Sequence, residues 1–209
     1  YIVEIDESGT ENWVKAIRGT TSSSFSDIQT PQLDLDASGN IYIAGEIEGT
    51  IDFDPSGGSS TLSSGSNSKF FLAKYSPTGD FIFRSDQGTT DNGNLFDMEV
   101  SNSGEAVLSL DHDPTIVSEQ GFTIRRCNIS GGTNWEHIYL DAALNTIPWA
   151  VESDDLGYTY MAGQFVEDTF DLDPTAGVDN MILTNPQLNF NKGYVVKFGP
   201  TGQYEWSYH

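Results

Sequence analysis

Between Gln32 and Pro55 the chain alternates and turns in a fixed order. Leu33 and Leu35 alternate with Asp34 and Asp36, the period-two pattern of a half-buried β-strand. Ala37-Ser38-Gly39-Asn40 follows as a tight turn, because Gly and Asn accept positive φ at little cost. Ile41-Tyr42-Ile43-Ala44 is the second strand, so the stretch reads as a β-hairpin. It recurs. Met98-Glu99-Val100 passes through Asn102-Ser103-Gly104 to Ala106-Val107-Leu108, and Val151-Glu152-Ser153 passes through Asp155-Leu156-Gly157 to Tyr158–Met161. A hairpin repeated along a chain marks a repeat protein.

A second hairpin type interleaves with the first. Its turn glycines are Gly9, Gly79, Gly131 and Gly202, spaced 70, 52 and 71 residues apart. Each follows a strand and precedes an aromatic four residues on: Trp13, Phe83, Trp135 and Trp206. The first-type glycines, Gly39, Gly104 and Gly157, are spaced 65 and 53 apart, the same long-short rhythm. One unit therefore holds both hairpins, four strands in about 50–70 residues, the size of a β-propeller blade. The expected fold is all-β: half a blade at residues 1–18, a blade at 31–86, a short blade at 97–138 and a blade at 149–209. Within the first full blade the strands are expected near 32–36, 40–46, 69–75 and 80–85, with a Gly/Ser-rich loop at Ser56–Ser68 holding a short strand at Thr61-Leu62. Gly19–Thr30, Gly88–Phe96 and Leu140–Pro148 read as loops crossing between blades, with a turn at Asn92-Gly93 and packing by Leu144 and Ile147. No helix longer than a turn is expected.

The combined pattern resembles the SBBP-type bacterial β-propeller repeat family. The residues that carry the likeness are Ser38-Gly39-Asn40, Ile41-Tyr42, Ala44-Gly45, Gly49-Thr50-Ile51-Asp52-Phe53-Asp54-Pro55, and Phe71-Leu72-Ala73-Lys74-Tyr75 with Gly79 and Phe83. Residues 31–86 and 149–206 match it best, and 97–138 diverge. The resemblance implies a secreted or surface-exposed bacterial protein and no particular reaction.

The composition narrows the partners. A net charge of −22, with only nine Lys plus Arg, argues against nucleic acid and against anionic membranes. It favours solubility and cation binding. No apolar run is long enough for a membrane span. Aromatics make up 12% of the chain and sit at repeat positions, which argues for a folded acidic surface rather than disorder. With no initiating Met and no charged-plus-apolar leader, the sequence reads as a mature or excised piece.

One cysteine excludes an intramolecular disulfide framework. Cys127 shares its repeat column with Ile5, Tyr75 and Phe198, so a buried packing thiol is expected. Asn128-Ile129-Ser130 has the form of a glycosylation sequon but falls in the tight turn of the third second-type hairpin. Gly57-Gly58 and Gly131-Gly132 read as turn glycines, not phosphate cradles.

The candidate chemistry is the motif Asp-x-Asp-Pro, at Asp52/Asp54, Asp111/Asp113 and Asp171/Asp173. In an extended segment residues two apart share a side. Phe53 and Leu172 would face inward, and each carboxylate pair outward together. Paired carboxylates repel unless something compensates. Ca²⁺ could do so, since it takes six to eight oxygen ligands. Alternatively each Asp caps a turn while Pro ends the strand. The EF-hand spacing is absent. His112 replaces the apolar middle residue and is expected to pack; His137 and His209 lack the spacing of a zinc site. The aromatic column is expected to pack between blades, with carbohydrate stacking as the alternative if its rings are exposed. Trp149 is the better exposed candidate.

These readings point to a non-enzymatic binding or structural scaffold with Ca²⁺ as its candidate cofactor. Its partners would be other chains, or copies of itself, meeting open blade faces that present Ile2, Ile5 and Val195. Two alternatives are a subunit of an extracellular assembly, and a polysaccharide-acting enzyme or lectin, for which no carboxylate pair can be selected.

Overall fold

The computed structural model describes residues 1–20, 26–90, 93–111, 121–140, 146–165, 169–182 and 192–209. All their regular structure is β. In chain order the strands are β1 (Ile2–Ile5), β2 (Glu11–Lys15), β3 (Arg18–Gly19), β4 (Asp27–Leu35), β5 (Ile41–Glu48), β6 (Thr50–Asp52), β7 (Thr61–Ser63), β8 (Ser68–Tyr75) and β9 (Phe81–Thr90). There follow β10 (Leu95–Val100), β11 (Ala106–Asp111), β12 (Gly121–Cys127), β13 (Thr133–Leu140), β14 (Ile147–Ser153), β15 (Thr159–Phe165), β16 (Thr169–Asp171), β17 (Asn180–Ile182), β18 (Lys192–Phe198) and β19 (Tyr204–Tyr208).

These strands form three four-stranded antiparallel sheets in succession: β4-β5-β8-β9, β10-β11-β12-β13 and β14-β15-β18-β19. The hairpin β1-β2 precedes them. Two small sheets, β3-β6-β7 and β16-β17, branch out between the second and third strands of the first and third sheets. The strand at Thr61–Ser63 is therefore present, but it pairs with β6 rather than within the main sheet. No sheet closes on itself among the described residues.

Both hairpin types are built on one turn. The seven turn glycines hold φ between +73° and +85°, a region where a Cβ is strained. In six of the seven, three residues before the glycine, an oxygen-bearing side chain accepts backbone N–H groups; before Gly202 that position is Gly199. Asp36 Oδ1 takes those of Ser38 (2.9 Å) and Asn40 (3.0 Å), and Asp154 Oδ1 those of Leu156 and Tyr158 (3.0 Å each). Asp6 and Asn128 do the same, the latter inside the sequon. Such local acceptance is what favours Asp and Asn in turns.

Three apolar cores lie between successive layers. Ile2 and Trp13 meet Ile41, Ile43 and Tyr75; Tyr42, Ala44 and Leu72 meet Met98, Val100 and Leu108; Val107, Phe122 and Ile124 meet Val151, Met161 and Val196. The first strands of neighbouring sheets are tied directly. The Val100 amide donates to Asp34 Oδ2 (2.6 Å), the Val151 amide to Asp97 Oδ2 (2.9 Å), and Ser153 Oγ to Glu99 Oε2 (2.5 Å).

Several expectations need correction. Asp27–Thr30 and Gly88–Thr90 belong to β4 and β9, so the crossing segments are shorter than the polar composition suggested. The divergent unit keeps the four strands expected of each unit, as a sheet over Leu95–Leu140. Leu33 and Leu35 are 58% and 50% exposed, although their counterparts in the second sheet, Met98 and Val100, are 6% exposed. The strand alternates as expected, but its aspartates face the next sheet and its leucines face a side on which no complete sheet lies. Each would gain about 1.5–3 kcal/mol from full burial. Ile5 is exposed for the same reason, whereas Tyr75, Cys127 and Phe198 of its column are fully buried. Ile2 is buried against the first sheet, and Val195 is open as expected. Leu144 and the Asn92 turn lie outside the described residues.

Candidate functional site

The Asp-x-Asp-Pro corners close the small sheets. Phe53 and Leu172 are fully buried, as the alternation requires. Asp52 Oδ1 accepts the amides of Asp54 (3.1 Å) and Ser60 (2.8 Å), and Asp171 Oδ1 those of Asp173 (3.1 Å) and Asp179 (2.8 Å). The second aspartate of each pair accepts both the amide and the hydroxyl two residues on. Asp54 takes them from Ser56 and Asp173 from Thr175, with the hydroxyls at 2.6 Å in both corners. The Ser56 hydroxyl bond leads the lowering of the Asp54 carboxyl below the usual carboxylate range. A Cβ built on Gly58 or Gly177 would lie 2.2 or 2.0 Å from the second carboxylate's Oδ2, so a larger residue there would have to displace that carboxylate.

The buried carbonyl between each pair is capped as well. Tyr75 donates its hydroxyl to Phe53 O (2.9 Å) and Tyr139 donates to Leu172 O (3.0 Å). Burial pushes both phenols above their usual range; Asp54 and Asp52 add to it for Tyr75, and Tyr194 and then Asp173 for Tyr139.

This geometry is the turn-capping arrangement. It leaves the other oxygens of Asp52 and Asp54 beside a 420 Å³ cavity that Arg18 also lines. Asp111 stands apart in the second sheet: it accepts the amide and side-chain nitrogen of Asn94 (2.6 and 3.1 Å), and burial raises its pKa. Asp113 and His112 lie outside the described residues. Among the described residues no three His, Cys, Asp or Glu side chains gather as a metal site.

The aromatic column sits at the junctions between layers. A Cβ built on Gly79, Gly131 or Gly202 would lie 2.8, 2.7 or 2.8 Å from the rings of Trp13, Phe83 and Trp135. Each ring thus rests on the second-type turn of the following sheet. Among the described residues Trp206 has no such turn beneath it, and its ring pairs are with Tyr160 and Tyr208 of its own sheet. His137 Nε2 lies 2.6 Å from Gly202 O, and Gln87 Nε2 donates to Gly131 O (2.9 Å), so histidine and glutamine serve the same turns.

A cation column completes the junctions. Lys74 reaches Asp36 (3.2 Å) and lies over the Tyr42 ring, whose hydroxyl donates to Gly104 O (2.8 Å) in the next sheet. Arg126 donates to Gly157 O and Thr159 Oγ1 (3.0 Å each) of the next sheet while paired with Glu105 (3.0 Å). Lys197, at the equivalent position in the third sheet, lies 3.8 Å from the Tyr158 ring centroid, and no contact to a further sheet is found among the described residues.

Sequence reasoning missed this column. Its signal was present: a charged residue, Glu4, Lys74, Arg126 or Lys197, stands five positions before every second-type glycine. It also missed two carboxyls with raised pKa values, one buried and one half-buried. Glu46, 2% exposed, has one oxygen with no partner, and burial raises it above the usual range. Glu99, between the second and third sheets, is pushed up to about 7 by burial; Glu152 and Asp34 add to this and the Ser153 hydroxyl opposes it. Cys127 is fully buried as expected, and its thiol is raised to about 12 by burial. Trp149 is more than half exposed, as expected. No family model and no curated protein matches the chain.

Proposed function

We propose that this chain is a non-enzymatic β-propeller repeat scaffold of the SBBP type, secreted or displayed at a cell surface. On this reading the three sheets are consecutive blades, and the hairpin at residues 1–18 is the outer half of another. The observation that carries it is where the recurrent polar and aromatic residues are used. Asp36, Lys74, Arg126 and Trp135 hold turns and inter-sheet junctions, with no recurrent set among the described residues left converging on one cleft. The loops and end faces of such a rigid stack are its binding surfaces. Val3, Ile5, Val195 and Trp206 at the ends favour other polypeptides as partners, including assembly with further copies. Ca²⁺ at the Asp52/Asp54 and Asp171/Asp173 corners would reinforce the small sheets.

The alternative, a polysaccharide-acting enzyme, is favoured by buried Glu46 and half-buried Asp111, two acids whose pKa values are both raised. Incubation with a panel of soluble polysaccharides separates the two readings. The scaffold releases no reducing ends, whatever it binds. Release that is lost in Glu46→Gln would replace the scaffold reading with the enzyme.

A further inference from the structure

The hairpin β1-β2 matches β8-β9, β12-β13 and β18-β19 when the turn glycines are aligned. In each of those sheets the first of the two strands is paired on both edges, to β5, β11 or β15 on one side. β1 pairs with β2 alone among the described residues. Between β1 and β4 lies a 440 Å³ cavity lined by Ile2, Val3, Ile5, Trp13, Leu33 and Leu35. At the next junction the corresponding space is filled: Tyr42 and Ala44 of β5 cover Met98 and Val100. The backbone repeats the contrast. The Val100 amide donates to Asp34 of the preceding sheet, whereas the equivalent Leu35 amide turns to its own neighbour, Asp34 Oδ1 (2.8 Å).

We propose that the free edge of β1 and this cavity are a docking site for a β-hairpin of the first type. Its occupant carries an acid five residues before its turn glycine, to accept the Leu35 amide. It carries a tyrosine three residues after that glycine, to donate to Gly39 O as Tyr42 donates to Gly104 O. Main-chain pairing along β1 supplies affinity, and the pockets around Leu33 and Leu35 supply specificity, the mode of β-strand addition. The inference rests on the repeat-scaffold reading above. A second copy is not the occupant: its hairpins β4-β5, β10-β11 and β14-β15 are already paired to β8, β12 and β18. The occupant is a further polypeptide segment of the same repeat chemistry, for which residues 27–48, bearing Asp34 and Tyr42, are the natural probe.

The test titrates a synthetic peptide of residues 27–48 into the 209-residue chain, by calorimetry and by amide exchange. One-to-one binding is expected, with exchange of the β1 amides slowed at least tenfold. Leu33→Asp/Leu35→Asp in the receptor should weaken binding at least tenfold while leaving its melting curve unchanged, since both side chains are at least half exposed. Tyr42→Phe in the peptide should weaken it about fivefold, the loss of one hydrogen bond. Because an isolated hairpin folds poorly, the same segment is also fused through a Gly/Ser linker ahead of Tyr1, where it should protect β1 and raise the melting temperature. Absence of β1 protection in both formats, with the chain folded by circular dichroism, would overturn the proposal. So would equal binding of a scrambled peptide or to the double variant. Neither failure touches the scaffold reading, which is decided by the absence of polysaccharide turnover.

Discussion

Trp135 and Trp206 occupy one repeat position in two surroundings, so truncating each measures what a junction contributes. Trp135 is half-buried, with its ring centroid 5.7 Å from that of Phe198 and its face against Gly202 of the third sheet. Trp206 pairs with the rings of Tyr160 and Tyr208, at 6.4 and 5.0 Å, and no turn of a further sheet lies against it among the described residues. Removing a core Trp costs about 3–5 kcal/mol, and partial burial places Trp135→Ala near the lower end, about 3 kcal/mol. Trp206→Ala loses at most an aromatic pair or two, about 1 kcal/mol. With a urea m-value of about 2–3 kcal/mol/M, the first variant should lower the unfolding midpoint by about 1 M and the second by no more than about 0.5 M. In a thermal scan the same difference is about 6–12 °C against about 2–4 °C. Urea unfolding followed by far-UV circular dichroism and Trp fluorescence measures both, and agreement of the two probes checks that one transition is being read. Equal midpoints for the two variants would show that the ring-on-glycine contact between sheets contributes nothing, and would refute the junction reasoning.

Three further outcomes are expected. Glu99 is raised from 4.5 to about 7, so its protonated form favours the fold: this stability is fully present below about pH 4.5 and is lost as pH rises toward about 7. Glu99→Gln should therefore raise the melting temperature at pH 8 and leave it nearly unchanged at pH 4.5; a loss at pH 8 would reverse the sign. Cys127, buried with its thiol raised to about 12, should react with a native-state thiol reagent only after unfolding, so rapid stoichiometric labelling would place it at the surface. If Ca²⁺ binds the Asp corners, millimolar Ca²⁺ should raise the melting temperature by mass action, and Asp52→Asn/Asp54→Asn with Asp171→Asn/Asp173→Asn should abolish the response; identical curves with Ca²⁺ and with EDTA would remove calcium from the scheme.

The hairpins were legible because their signals are local. A turn glycine with positive φ and a period-two strand can be read within ten residues, and Gly39, Gly104 and Gly157 all sit where that pattern put them. The buried columns of Cys127 and Phe53 were legible for the same reason. What the sequence hid depends on neighbouring layers. Nothing local distinguishes Leu33 from Met98, yet one faces open space and the other a complete sheet. Arg126 reads as a surface charge until its strand is placed against Gly157 of the next sheet. The Asp corners were half legible: the residue pattern identified them, but whether a carboxylate meets a cation or a backbone amide depends on a loop closing eight residues later, at Ser60 and Asp179. Polar composition also misled, since Asp27–Thr30 and Gly88–Thr90 are strand despite it: tertiary pairing overrides weak local preference.

Amide hydrogen exchange, compared position by position across the four matching strands, tests the central claim most directly. The claim is that equivalent hairpins stack as successive layers, with the interior covered on both faces and the first strand left with an open edge. Protection reports how far each strand must unfold before exchange. β12, inside the second sheet and flanked by layers on both sides, should exchange slowest, with β8 close behind, β18 faster and β1 fastest by at least a hundredfold. Protection of β1 equal to that of β12 in the 209-residue chain alone would contradict the open edge and the stacking order together.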